Sequence, residues 1–272
     1  MRKFNITAIF TAKNFFLACS ISFFAAVFLL ACSNNNAAVG AGGASSSAAT
    51  DGVSGSGDDM YYEYTTTTTG SQMNMSGYSK LYVSSGGNVR SEMDMTNSAV
   101  KKTKSGPIVL IASKDKPNQS ISIDDDAKTY TINIIDTADF GNDPFKMVST
   151  VTNMGSEKIM GFNCVHARIL STKNMGPLGK LTDTIDLWNS PDVPLAPFFR
   201  KYMDKNVSRS WSVLMTPAAV EQLKQMGCTG FMLKMQSGSK EANVRMELTK
   251  IQKGDFPKSM FEIPAGYKED KQ

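Results

Sequence analysis

From Tyr61 onward, short runs of β-branched, aromatic and methionine residues alternate with polar ones, and glycine, serine and asparagine clusters cut the runs apart. Period-two alternation bounded by turn residues is the pattern of strands that bury one face. "YYEYTTTTTG" reads as a strand that ends in a turn at Gly70. "SQMNMSGYSKLYV" and "NVRSEMDM" flank "SSGG" as a hairpin. Met73, Met75, Leu81 and Val83 share one parity on the first strand, and Val89, Met93 and Met95 share it on the second. Both sets reach one face only if directly paired residues sum to an even number. A three-residue loop, Ser85-Gly86-Gly87, meets that condition with Gly87 left-handed in a G1 bulge. A two-residue loop would place the two apolar sets on opposite faces.

The alternation continues. "QSISIDDDAKTYTINII" is a second hairpin with Asp124-Asp125-Asp126-Ala127 at its tip and Ile121 opposite Tyr130. "KMVSTVTNMGSEKIMGFNCVHARILST" holds two strands around Gly155, and "KLTDTIDLWNS" another. "GFMLKMQS" and "ANVRMELTKIQ" are joined by "GSKE". The total is about nine or ten strands in a mostly meandering antiparallel order. Helices are few. Thr216 caps one, Pro217 takes its first position, Gly227 stops it after Met226, and Met215 and Val220 are spaced as a hydrophobic staple. A second runs from Pro197 to about Lys205, with Phe198/Tyr202 and Phe199/Met203 at i,i+4. The expected fold class is mainly β (α+β): a large curved antiparallel sheet or half-barrel with one or two short helices over its concave face. Residues 60–272 are enough for one such domain.

The first 59 residues have another character. Arg2, Lys3 and Lys13 precede an uncharged apolar run, Phe15 to Ala31, which suits a signal h-region better than a membrane span. "LACS" occurs twice, at Leu17–Ser20 and Leu30–Ser33. Only four apolar residues, Phe15 to Ala18, stand between Lys13-Asn14 and Cys19, whereas Cys32 has a full apolar run before it, Leu at −3 and Ala at −1. The second copy resembles the lipobox of bacterial lipoproteins. It implies that residues 1–31 are removed and that Cys32 becomes the acylated, palmitate-bearing first residue, a membrane anchor. An uncleaved anchor helix or a plain secretory signal are the alternatives. Residues 32–59 are Gly/Ser/Ala/Asn-rich and read as a flexible tether. Ser33 is not the Asp that retains lipoproteins at the inner membrane, so similarity to known sorting signals points to the outer membrane, facing the periplasm.

Charge and motifs exclude several functions. The chain carries +4, but removal of residues 1–31 leaves 26 Lys+Arg of 29 against 25 Asp+Glu, or +1. With no basic stripe, nucleic acid is not an expected partner. There is one histidine, His166, and no HExxH, G-x-S-x-G or phosphate-binding glycine loop. No cofactor, metal or catalytic residue is expected. Cys164 and His166 in "CVH" read as structural, and the "DDD" tip lacks the Gly and distal Glu of a calcium loop. Cys164 and Cys228 form a disulfide or are separately buried; the sequence leaves both open. Methionine is abundant, 17 of 272 residues. "MNM" and "MDM" offer a Cu(I)-like thioether pair or, more simply, a pliable apolar lining.

"GGNVRSEMDM", "ISIDDDAKTYTI", "VTNMGSEKIMGFNCVHARI", "DTIDLWNSPDVP" and "FEIPAGYK" occur in an order that resembles the exported bacterial family called domain of unknown function 4412. That family resembles in turn the LolA/LolB half-barrel lipoprotein carriers, in which a concave sheet holds acyl chains beneath a helical lid. The resemblance implies a non-enzymatic outer-membrane lipoprotein that binds an apolar ligand, a lipid or acyl chain, in the periplasm. The expected lining is Met73, Met75, Leu81, Val83, Met93 and Met95, with Phe198, Phe199 and Tyr202 on the covering helix. The alternative is an envelope structural or protein-interaction lipoprotein with no ligand cavity.

Overall fold

The computed structural model describes residues 53–70, 74–97, 106–116, 119–134, 147–174, 179–200, 215–238 and 242–271. Residues 1–52, with the expected signal segment, Cys32 and most of the expected tether, lie outside these ranges, as do Met73 and Tyr202. The stretch 53–59, expected as tether, joins the sheet at both ends: Val53 and Ser54 pair with Ile251 and Gln252, and Asp59 opens a strand that runs to Gly70. The described strands are β1 (Val53–Ser54), β2 (Asp59–Gly70), β3 (Asn74–Val83), β4 (Asn88–Asn97), β5 (Ile108–Ser113), β6 (Gln119–Asp124) and β7 (Thr129–Ile134). They continue as β8 (Val148–Ile159), β9 (Phe162–Asn174), β10 (Lys180–Ser190), β11 (Phe231–Gly238), β12 (Ala242–Gly254) and β13 (Lys268–Glu269). All belong to one open, curved, 13-stranded sheet in the order β13-β7-β6-β5-β4-β3-β2-β12-β11-β10-β9-β8, with β1 beside β12. Two antiparallel meanders, β2–β7 and β8–β12, are therefore fused where β2 pairs with β12. Only the two-residue strands β1 and β13 pair in parallel.

The first hairpin forms as parity requires. Val83 pairs with Val89 across Ser85-Gly86-Gly87, and Ser84 N–H donates to Asn88 O at 2.8 Å. Gly87 takes φ +92°, the left-handed bulge position. The second hairpin is shifted. Ile123, not Ile121, faces Tyr130, and the loop is Asp125–Lys128. Asp124 stays in the strand because its Oδ1 accepts from Asp126 N–H (3.0 Å) and Ala127 N–H (2.8 Å), which places the turn after it. A shift of two preserves parity, so the faces are as expected. Gly155 does not make the β8–β9 turn. Met160 and Gly161, with φ +50° and +84°, make a tight two-residue connection, and Gly155 (φ +98°) sits in a bulge of β8. Asn153 Oδ1 accepts from Gly155 N–H at 2.8 Å and holds that bulge. Further bulges at Trp188/Asn189 and Leu248/Lys250 bend β10 and β12.

Each face of the sheet carries a core. The inner face is covered by helix α1 (Pro217–Gln225) and a helical turn at 197–200. Thr216 caps α1 by accepting from Ala219 N–H at 3.3 Å, and Gly227 follows Met226 with φ +75°. Met215 and Val220 are both buried, as a staple requires. Ala219, Val220 and Leu223 join Tyr62, Leu233, Leu248, Ile251, Ile169 and Leu187 in the main cluster. On the outer face the chain after β12 runs back across the sheet. Phe256 meets Tyr82 edge-on at 5.3 Å, and Met260 O accepts from Arg90 Nη1 at 3.1 Å. Ile263 and Tyr267 then pack on a second cluster of Val109, Ile111 and Ile123 before β13 adds to β7. A strap is needed here because β5 buries residues of both parities, which two-sided coverage alone allows.

Candidate functional site: a methionine-walled trough on the inner face

The strand register sets inner-face residues in rows that cross the sheet. One row runs Leu187–Met235–Met246–Thr66–Gly77–Met95. The next runs Ile185–Ser237–Val244–Thr68–Met75. On the other side lies Leu248–Tyr64–Ser79–Met93–Ile108, then Tyr62–Leu81–Ser91–Leu110. Thr66, Thr68, Gly77, Ser79 and Ser91 thus form one patch of small side chains at the middle of the sheet. Met235, Met246 and Val244 flank it on one side, and Met75, Met93 and Met95 on the other. The flanking side chains are longer than serine or glycine, so the patch is a low strip between them, a trough in the relief of the sheet whose floor residues Thr66, Thr68, Ser79 and Ser91 are themselves buried. An ideal Cβ on Gly77 would lie 2.8 Å from Met95 Sδ and 2.0 Å from Asp94 O, so the bare glycine is what lets Met95 approach.

The residues expected to line a ligand separate into two groups. Leu81, Val83 and Met93 are buried in the main cluster. Met75 and Met95 are half-buried at the trough wall. Phe199 is buried beside Phe231, with ring centroids 6.3 Å apart, and Phe198 is half-buried against the same cluster. Met73 and Tyr202 fall outside the described residues. The opposite wall was missed in the sequence. Met235 and Met246 have the right parity on their strands, but only the β2–β12 pairing brings them to the trough.

Polarity is graded across this face. Beyond the methionines, β5 contributes Ile108 and Leu110, and then β6 and β7 present Ser120, Ser122, Thr131 and Asn133. Asn133 Nδ2 donates to Ser122 Oγ at 2.8 Å. The charges of β3 and β4 point the other way: Arg90 pairs with Glu92 at 2.7 Å, and Lys80 lies over the Tyr78 ring, both on the outer face.

The remaining polar groups are held in structural arrangements. On the outer face His166 stacks on Trp188 with centroids 3.9 Å apart, and its Nε2 lies 2.8 Å from Asp186 Oδ1. Arg168 donates to both Asp186 oxygens, at 3.0 and 3.1 Å. Lys234 lies 4.0 Å above Trp188 and reaches Glu157 at 3.7 Å, and this cover helps to bury the indole. Cys164 makes no dyad with His166. Its thiol points to Phe162 O at 3.6 Å, and burial pushes its pKa up to about 11, opposite to nucleophile activation. Cys228 faces Val165 O at 3.5 Å and is likewise pushed up to about 11 by burial. Both are buried free thiols in this structure. Among the described residues no three His, Cys, Asp or Glu groups converge as metal ligands. The aspartate tip is engaged in its own turn, and Asp125 accepts from the Tyr267 hydroxyl.

The sequence matches the family described as Domain of unknown function (DUF4412) over residues 63–267. The chain belongs to this family. No curated protein matches it. Among solved structures, it is similar to a LolA superfamily protein from Nitrosomonas europaea at 7% identity, over 78% of this chain and 94% of that one, with a TM-score of 0.34. The Mycobacterium tuberculosis lipoprotein LppX is similar at 9% identity over 72% and 88% of the two chains, TM-score 0.33. PNGF-II is similar at 13% identity and TM-score 0.32; the match covers 78% of this chain but only 31% of that one. Scores of this size transfer no ligand, and the functional reading rests on the trough.

Proposed function

We propose that this chain is a non-enzymatic, lipid-anchored envelope protein whose inner sheet face binds an apolar ligand, a lipid or acyl chain. The observation that carries the reading is the trough: a floor of Thr66, Thr68, Gly77, Ser79 and Ser91 between methionine walls. A sheet face that served only as core would fill these central positions with large aliphatic residues, as it does at Leu233, Leu248 and Ile251. Half-buried Met75 and Met95 supply an unbranched, polarizable wall that adapts to a flexible chain, and Met235 and Met246 face them from within the main cluster. In this reading Cys32 is acylated, the segment between it and Val53 is the tether, and the domain works at the outer membrane, facing the periplasm.

Native mass spectrometry of the protein purified without detergent tests the binding. Co-purifying lipid supports it; a bare wild-type protein that also takes up no added fatty acid refutes it. Globomycin treatment tests the anchor, with accumulation of the precursor and loss of palmitate label as the expected result. A Cys32→Ala chain that still carries label overturns the assignment. The deep burial of Thr68 and Ser79 favours one competing reading, an envelope scaffold whose inner face is simply filled. The bare-protein outcome selects that reading.

A further inference from the structure

Two hydroxyls on the inner face are buried without a hydrogen-bond partner, Ser79 Oγ and Ser120 Oγ, each in a residue only 1% exposed. Ser79 stands on the trough floor, between Tyr64 and Met93 in its row. The Tyr64 hydroxyl is committed to Met232 O at 2.7 Å. Alanine would fill the same space without stranding a donor, so a serine here matches a ligand that brings an acceptor to it. Ser120 lies at the polar end of the same face, paired with Ala112 on one side and Asn133 on the other.

Charge narrows the class further. On β3 to β7 the described inner-face residues include no lysine, arginine or histidine, and the only ionisable one is Asp124 at the turn. An anionic head would be desolvated there against no cation and near a carboxylate. We propose that the trough takes a neutral amphiphile: an acyl chain joined through an ester to an uncharged, hydroxyl-bearing head. The chain lies along the methionine walls and the ester carbonyl accepts from Ser79 Oγ. This assignment rests on the apolar-ligand reading above and adds the ligand's polarity to it.

The test uses three matched probes on the whole chain, delipidated and free of detergent: monopalmitoyl glycerol, its hexadecyl ether analogue, and its phosphate ester. Displacement of a fluorescent fatty acid reads their affinities. The ester should bind about five- to tenfold tighter than the ether, the value of one buried hydrogen bond, and at least about tenfold tighter than the phosphate form. Ser79→Ala should bring ester and ether within about twofold of each other. Thermal unfolding at or above the wild-type temperature would show the variant folded. Phosphate-ester binding as tight as monopalmitoyl glycerol overturns the neutral class, and an ester preference that survives Ser79→Ala overturns the role of Ser79. Ether binding without any ester preference removes this inference alone, whereas failure of all three probes removes the apolar-ligand reading with it.

Discussion

Gly77 is where trough and sheet depend on one another most directly, and Gly77→Ala measures that dependence. The added Cβ would sit 2.0 Å from the Asp94 carbonyl oxygen, a backbone atom that no side-chain rotation removes. Strand β4 must therefore move away from β3 at the Gly77–Met95 pair. Overpacking of this kind costs about 1–3 kcal/mol, and loss of one or two ladder hydrogen bonds adds roughly 0.5–1.5 kcal/mol each. Reduced freedom of the unfolded chain offsets about 0.4–1 kcal/mol. The net expectation is a loss of about 1–4 kcal/mol, which for a domain of this size lowers Tm by roughly 3–15 °C. Urea denaturation read by far-UV circular dichroism gives the free energy with an unchanged m-value. Gly86→Ala in the adjoining loop is the control, because its Cβ would meet only the Ser84 hydroxyl, at 3.2 Å, and its effect should stay within about 0.5 kcal/mol. The same β4 displacement withdraws Met95 from the trough, so fatty-acid affinity should fall with stability. A Gly77→Ala protein as stable as wild type would refute the close-approach argument and the trough geometry built on it.

Other outcomes follow from the same geometry. Gly161→Ala meets no steric obstacle but keeps φ +84°, so it should cost about 1–2 kcal/mol in urea titrations, from backbone conformation alone. His166→Ala removes the ring stacked on Trp188 and one partner of Asp186; in a Trp211→Phe background, Trp188 emission should shift to the red and stability fall by about 1–3 kcal/mol. Cys164 and Cys228 should resist iodoacetamide at pH 8 and react only in denaturant. Their folded pKa values near 11 lie above the ordinary 9.0, so the folded state holds more protons between these values. Stability is thus fully present below pH 9 and lost as pH rises towards 11, a slope that a Cys164→Ala/Cys228→Ala pair should flatten.

Much of the fold was legible because hairpin rules are local. The parity of Leu81, Val83, Val89 and Met93 with Ser85-Gly86-Gly87 specified one register, and that register forms. Thr216, Pro217 and Gly227 marked both ends of α1 through capping chemistry that needs no tertiary partner. The misplaced turns have equally local causes. "DDDAK" offers two turn placements one residue apart, which shift the strand pairing by two, and the Asp124 carboxylate selects the later one. Gly155 and Gly161 both favour positive φ, and the alternation of "GSEKIMG" does not say which of them bends the chain and which one bulges. "IVLIAS" was passed over as β5 because both its faces are buried, which erases the alternation that marks a strand.

The sequence by itself determined most of the strands, which of their faces are apolar, and where the helix begins and ends. These features depend on residues within a few positions of each other, where backbone sterics and side-chain period act directly. Only the tertiary structure decided that the first long strand lies against the last, Tyr62 opposite Ile251 and Thr66 opposite Met246. Pairing across nearly the whole chain depends on the summed burial of both meanders, and no short window of residues contains it. That contact places Met235 and Met246 across from Met75 and Met95 and sets the serine and threonine floor between them. It also sends the C-terminal segment over the outer face, where Tyr267 and Ile263 close a second core that the first meander cannot close alone.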